Sequence, residues 1–190
     1  MRKILLLVCA LLCAATSLYA ASEDVSIEVP WGRISATLSQ PTEGSDAAVL
    51  IVAGSGPTDR NGNSGLNLNT YAYKMLSDGL VKSGYAVLRY DKRAIGGSYL
   101  SPEDIPALTL DDYVEDAERC VAWLRAQGFA RVYVAGHSEG GSIAIEVAER
   151  RRVTVDGLVL LAAPGYPMDQ ILNALTAASW KTHGKSFKPI

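Results

Sequence analysis

The residues best suited to covalent chemistry are Gly136-His137-Ser138-Glu139-Gly140-Gly141. They follow the predicted strand Arg131 to Ala135 and open a helical pattern. Ser138 is therefore the centre of a G-x-S-x-G between a predicted strand and a predicted helix. A turn that sharp leaves no room for side chains at Gly136 and Gly140. It forces the serine into a strained conformation with its hydroxyl exposed. The helix N-terminus behind it favours developing negative charge. The same spacing occurs in plain glycine-rich turns, so its place between strand and helix is what makes Ser138 a candidate nucleophile.

Attack by a serine on an acyl carbon creates an oxyanion, which needs two preorganised N–H donors. The residue after the serine, Glu139, offers one backbone N–H. Ala53-Gly54-Ser55-Gly56-Pro57 ends the run Ala47 to Ala53, and the N–H of Ser55 is the natural second donor. Gly54 and Gly56 are expected to let this loop come close to a substrate. The plainer alternative is a flexible glycine loop.

These groups need a scaffold to hold them. Val25 to Val29 and Arg33 to Ser39 alternate around Pro30-Trp31-Gly32, which predicts an edge hairpin. Ala47 to Ala53 is a continuous apolar run, as in a central strand covered on both faces. A Gly- and Asn-rich stretch, Gly54 to Asn69, reads as loop. Tyr73, Leu76, Leu80 and Val81 mark a helix closed by Gly84. Ala86 to Tyr90 reads as strand and Asp91 to Pro106 as loop. Thr109 with Asp112 can cap a helix whose apolar stripe is Leu110, Tyr113, Val114, Ala117, Cys120, Val121 and Leu124. Strand, helix and strand follow at Val132 to Ala135, Gly140 to Arg150 and Gly157 to Ala162. Strand and helix in alternation after a hairpin predict an α/β fold with a mostly parallel sheet. Ligands of such sheets bind beyond the carboxyl ends of the strands, where Ser138 and Ser55 both fall.

Composition limits the alternatives. With 190 residues, 48% hydrophobic and 20% charged, the chain is long enough for a packed core and too apolar for disorder. A net charge of −2 without a basic block argues against nucleic acid as a partner. Met1-Arg2-Lys3, the apolar run Ile4 to Ala15 and the small residues before Ser22 form a secretory signal pattern over residues 1–20, with cleavage expected after Ala20. The expected location is thus periplasmic or secreted, and an uncleaved leader would instead anchor the chain to a membrane. Cys9 and Cys13 lie in that leader, so the mature chain keeps Cys120 as its one cysteine, read as core packing.

The sequence resembles the α/β-hydrolase superfamily, and within it the bacterial exported esterases and serine-aminopeptidase-like enzymes. Gly136 to Gly141 matches the nucleophile elbow. Gly54-Ser55-Gly56-Pro57 with Asp59-Arg60 resembles the oxyanion loop, with Ala53 where a His usually stands. Asp91-Lys92-Arg93-Ala94-Ile95-Gly96-Gly97-Ser98 resembles the D-x-R-G-x-G-x-S loop, with Ala94 in place of a glycine. Asp91 and Arg93 are read as loop-holding residues. Leu161 to Gly165 resembles the strand end after the elbow helix.

The resemblance implies a serine hydrolase that cleaves an ester or small amide through a Ser138 acyl-enzyme, without metal or organic cofactor. It also implies an acid and then a His after the elbow. His137 belongs to the elbow and is expected to point away from the base position. His183 and Asp169 are the remaining candidates, although an exposed tail histidine and a helix-capping aspartate account for them more simply. Residues 21–190 thus read as an α/β-hydrolase domain whose C-terminal strands are missing, with residues 164–190 the start of a lid or a non-native tail. A truncated, catalytically incompetent chain or a ligand-binding protein is the second reading, and an envelope-anchored structural protein the third. The substrate and the oligomeric state are not encoded legibly.

Overall fold

The computed structural model describes residues 21–65 and 67–166, together with residues 170 and 173. The leader, Asp169 and His183 lie outside the described residues.

Two strands, β1 (Ala21–Val29) and β2 (Gly32–Gln40), form the expected antiparallel hairpin. Next come β3 (Ala47–Val52) and a small ladder, β4 (Asn63–Ser64) with β5 (Leu68–Asn69), which interrupts the stretch read as loop. The Asp59 carboxylate organises this excursion by accepting the N–H groups of Asn61 and Asn63 at 2.8 and 2.9 Å. The last strands are β6 (Ala86–Tyr90), β7 (Arg131–His137) and β8 (Gly157–Leu161). The main sheet has the order β1-β2-β6-β3-β7-β8, with β6, β3, β7 and β8 parallel.

Three helices connect the parallel strands: α1 (Ala72–Lys82), α2 (Leu110–Ala126) and α3 (Glu139–Arg150). Every residue of β3 is buried, which explains its unbroken apolar run. Successive side chains face opposite sides of a strand. Ala48, Leu50 and Val52 accordingly join the cluster with Val114, Val121, Ile143 and Val147 of α2 and α3. Val49 and Ile51 join the cluster with Tyr73 and Val81 of α1. The sheet is therefore covered on both faces, as the α/β reading expects. Cys120 is fully buried in the first cluster.

The cap expected at α2 forms: the Asp112 carboxylate accepts the Thr109 N–H at 2.8 Å. The apolar stripe of α2 is shorter than its sequence suggests. Leu110 is 43% exposed because the first turn of the helix carries it out of the packed interface. A second difference is a 3-10 turn at Ile105–Ala107, at the end of the stretch Asp91 to Pro106 read as loop.

From β3 the chain steps to β6 on one side, then crosses back through α2 to β7 on the other. The winding direction thus reverses at β3. In register, Val52 pairs with Gly136, so the carboxyl ends of β3 and β7 lie side by side. This reversal is where open α/β sheets leave a crevice for ligands.

Candidate active site

The end of β7 and the start of α3 are joined by a single residue, Ser138, at φ 52° and ψ −122°. A non-glycine residue at positive φ costs on the order of 1–3 kcal/mol and persists only where its surroundings fix it. Here they do. The Ser138 N–H donates to the Leu161 carbonyl at 2.9 Å, and the Ser138 carbonyl accepts the Gly141 N–H at 2.8 Å. A β-carbon on Gly136 would run into the Gly140 carbonyl oxygen, and one on Gly140 into that of Val52. One on Gly141 would strike Ala163 Cβ. The glycines of the motif are required by backbone contact, as their spacing suggests.

The loop after β3 lies against this turn. A β-carbon on Gly54 would sit 3.2 Å from Ser138 Cβ and 3.1 Å from His137 Nδ1. Gly56 is different: a β-carbon there meets nothing within 4 Å, and its glycine is explained by φ +80°. Close approach therefore belongs to Gly54, and a tight turn to Gly56. The Gly54 N–H is taken by Tyr73 Oη at 3.1 Å, and the next N–H of the loop belongs to the exposed Ser55. Ser138, Glu139, Gly54 and Ser55 are thus brought together.

His137 is engaged by Tyr73. Its Nδ1 is 2.9 Å from Tyr73 Oη, and the two rings meet edge-on. Burial pushes the Tyr73 hydroxyl above its ordinary value, so it stays protonated and able to donate. His137 is the one histidine among the described residues.

Two residues of this site carry no motif signal. Tyr73 presents a hydroxyl within an apolar helix stripe. Lys92, between Asp91 and Arg93, is 3% exposed, and its Nζ donates to the Gly54 carbonyl at 2.6 Å. It also meets Glu139 Oε2 at 3.3 Å and lies 5.2 Å from the centre of the Tyr113 ring. Burial lowers the Lys92 pKa, and the Glu139 carboxylate opposes that. A lysine two residues beyond β6, between Asp91 and Arg93 of the loop motif, is the one hint the sequence holds.

Asp91 and Arg93 hold loops. The Asp91 carboxylate accepts the N–H groups of Arg60 and Gly97 at 2.8 and 2.9 Å. Ala94, standing where the family pattern has glycine, keeps the left-handed conformation with φ 65°. The turn is preserved at the cost of strain. Among the described residues no group of three His, Cys, Asp or Glu side chains is placed to hold a metal ion.

A family model described as serine aminopeptidase, S33, matches residues 63–188. The chain belongs to this family. As a serine aminopeptidase S33 member it is 36% identical over 127 residues to Esterase EstD of Thermotoga maritima. That alignment covers 66% of this chain and 29% of the relative. The family chain also superimposes on the esterase Pf2001 of Pyrococcus furiosus with a TM-score of 0.62 at 24% identity, covering 90% of this chain and 61% of that one. For a proline iminopeptidase-related protein of Thermus thermophilus the TM-score is 0.55 at 26% identity, covering 75% and 45%. The chain thus spans less than two thirds of each of these relatives.

Proposed function

We propose that this protein is a serine hydrolase that cleaves a small ester or amide, with Ser138 as nucleophile. The observation that carries the reading is the conformation of Ser138 at a strand-to-helix turn, with the Gly54–Ser55 peptide against it. A plain turn has no use for a strained serine beside a second backbone donor.

Ser138 Oγ attacks the acyl carbon as a general base removes its proton. The carbonyl π pair moves onto oxygen, and the oxyanion accepts the N–H groups of Ser55 and Glu139. The N-terminus of α3 adds favourable potential. Collapse re-forms the carbonyl and expels the alcohol or amine, which takes the proton from the base. Water then attacks the acyl-enzyme with the same base taking its proton, and the acid product leaves as Ser138 Oγ is reprotonated. The base and its orienting acid are contributed from outside the described residues, where Asp169 and His183 also lie. The names of the relatives, an esterase and an iminopeptidase-related protein, support esters or small peptides as the substrate class. Neither distinguishes between them, because both reactions use the same nucleophile geometry.

Export is part of the same proposal, resting on the leader pattern of residues 1–20. Recovery of a mature protein beginning near Ala21 outside the cytoplasm is the expected result.

The experiment is covalent labelling of the protein with a fluorophosphonate, alongside hydrolysis of a short-chain nitrophenyl ester. The native protein is expected to label and to turn over, and Ser138→Ala to do neither. Labelling that persists in Ser138→Ala, or its absence from the folded native protein, overturns the reading and favours a ligand-binding role.

A further inference from the structure

We propose that Lys92 is the positioning residue of the oxyanion hole, holding both of its donor residues through one buried ammonium. This rests on the hydrolase reading above and adds to it a residue outside the elbow and the glycine loop.

The Gly54 carbonyl and the Ser55 N–H belong to the same peptide group. In a trans peptide the C=O and N–H bonds lie in one plane and point in opposite directions across the C–N bond. An ammonium 2.6 Å from the Gly54 oxygen therefore fixes where the Ser55 N–H points. Donation to the carbonyl also polarises the peptide, which makes its N–H a better donor to an anion. Fixing is needed here because the flanking glycines leave that peptide free to rotate. Tyr73 Oη holds the other side of Gly54 by accepting its N–H at 3.1 Å.

The second donor residue is tied to the same ammonium. Glu139 Oε2 lies 3.3 Å from Lys92 Nζ, and the backbone N–H of Glu139 is the other arm of the hole. A carboxylate beside a developing oxyanion opposes its formation. Lys92 neutralises that carboxylate while anchoring it at the first turn of α3. The Tyr113 ring, its centre 5.2 Å from the ammonium, closes a third side. The described hydrogen bonds of the Lys92 ammonium thus go to the carbonyl of the Gly54–Ser55 peptide and to the side chain of Glu139, one on each arm of the hole.

The test separates the covalent step from binding. Fluorophosphonate labelling of the full-length protein gives a first-order rate, kinact, and an apparent affinity, KI. Lys92→Met keeps the stem and removes the charge. It is expected to lower kinact about 10- to 100-fold, below the loss for deleting a direct donor, while KI changes less than about 2-fold. Lys92→Gln can still donate to Gly54 without the charge, and a smaller fall of about 3- to 10-fold is expected. It serves as the readout if Lys92→Met does not fold. Adding Glu139→Gln to Lys92→Met removes the uncompensated carboxylate and is expected to recover part of kinact.

A folded Lys92→Met labelled within about 2-fold of the native rate, or a loss of kinact matched by an equal loss in KI, overturns the proposal. A folded Lys92→Gln labelled at the native rate does the same. In those cases Ser138 still labels in the native protein, so the hydrolase reading survives. If the native protein does not label at Ser138, the hydrolase reading fails first and the role of Lys92 falls with it.

Discussion

Arg93 grips Asp116 through two hydrogen bonds, Nε to Oδ2 at 2.7 Å and Nη2 to Oδ1 at 3.0 Å. The Asp116 side chain is 1% exposed. Trp31 Nε1 donates to the same carboxylate at 2.9 Å, and Asp112 accepts from the guanidinium at 2.8 Å. The edge hairpin, the loop after β6 and helix α2 therefore meet at one ion pair. That loop carries Lys92. Asp116→Ala leaves a buried guanidinium with fewer partners, and the expected loss is about 3–5 kcal/mol of stability. Urea unfolding measures it. A loss below about 1 kcal/mol would mean the pair is dispensable.

The elbow glycines make a steric prediction. Gly136→Ala and Gly140→Ala each place a β-carbon on a backbone carbonyl, which cannot swing aside as a side chain can. Either change is expected to cost more than about 3 kcal/mol or to abolish folding. Gly79 is the contrast: it lies inside α1, and a β-carbon there meets nothing within 4 Å. Gly79→Ala is expected to stabilise by about 0.5–1 kcal/mol. Thermal unfolding of the three variants side by side tests the distinction.

Strain can be relieved at two positions with different consequences. Ala94 and Ser138 both hold positive φ, at 65° and 52°. Glycine adopts that conformation without the β-carbon penalty, at some cost in unfolded-chain entropy. Ala94→Gly is expected to raise stability by about 0.5–1 kcal/mol with labelling of Ser138 unchanged. Ser138→Gly is expected to raise the unfolding temperature and abolish labelling. A lower unfolding temperature in both variants would show that neither residue is strained.

Acid should weaken the α2 cap. The Thr109 N–H and hydroxyl both donate to the Asp112 carboxylate at 2.8 Å. Those bonds, with Arg93 beside them, hold its carboxyl below the ordinary value. A depressed folded pKa adds stability that is fully present above the unfolded value, about 3.9, and is lost as pH falls through the folded value. The native protein should lose this contribution below about pH 4. Asp112→Asn should show a shallower fall in unfolding temperature between about pH 4 and pH 2. Equal slopes in the two proteins would remove Asp112 from the acid response. Thr109→Ala, which deletes the N-cap hydroxyl, is expected to cost about 0.5–2 kcal/mol at neutral pH.

The elements and the elbow are legible in the order of residues alone. Ala47 to Val52 is a strand because an unbroken apolar run can be satisfied only by burial on both faces. Gly136 flags the turn because the crowding it avoids is local, against Gly140 and Gly141, whereas Gly140 avoids the backbone of Val52 and Ala53, which only the assembled sheet brings to it. The α2 cap is likewise written in four consecutive residues. Leu110 misleads because a helical stripe records which face is apolar, not how far the neighbouring element extends along it.

Which strand ends meet, and hence what surrounds Ser138, is settled only in three dimensions. Lys92 reaches Gly54 across 38 residues, and Tyr73 reaches His137 across 64. Neither contact follows from periodicity. Both depend on β3 lying between β6 and β7 and on α1 packing against one chosen face. Hydrophobic periodicity specifies which side chains are buried. Strand order is set by long-range pairing of several such strands at once, so a lysine beside two motif residues becomes part of a site only when the sheet is assembled.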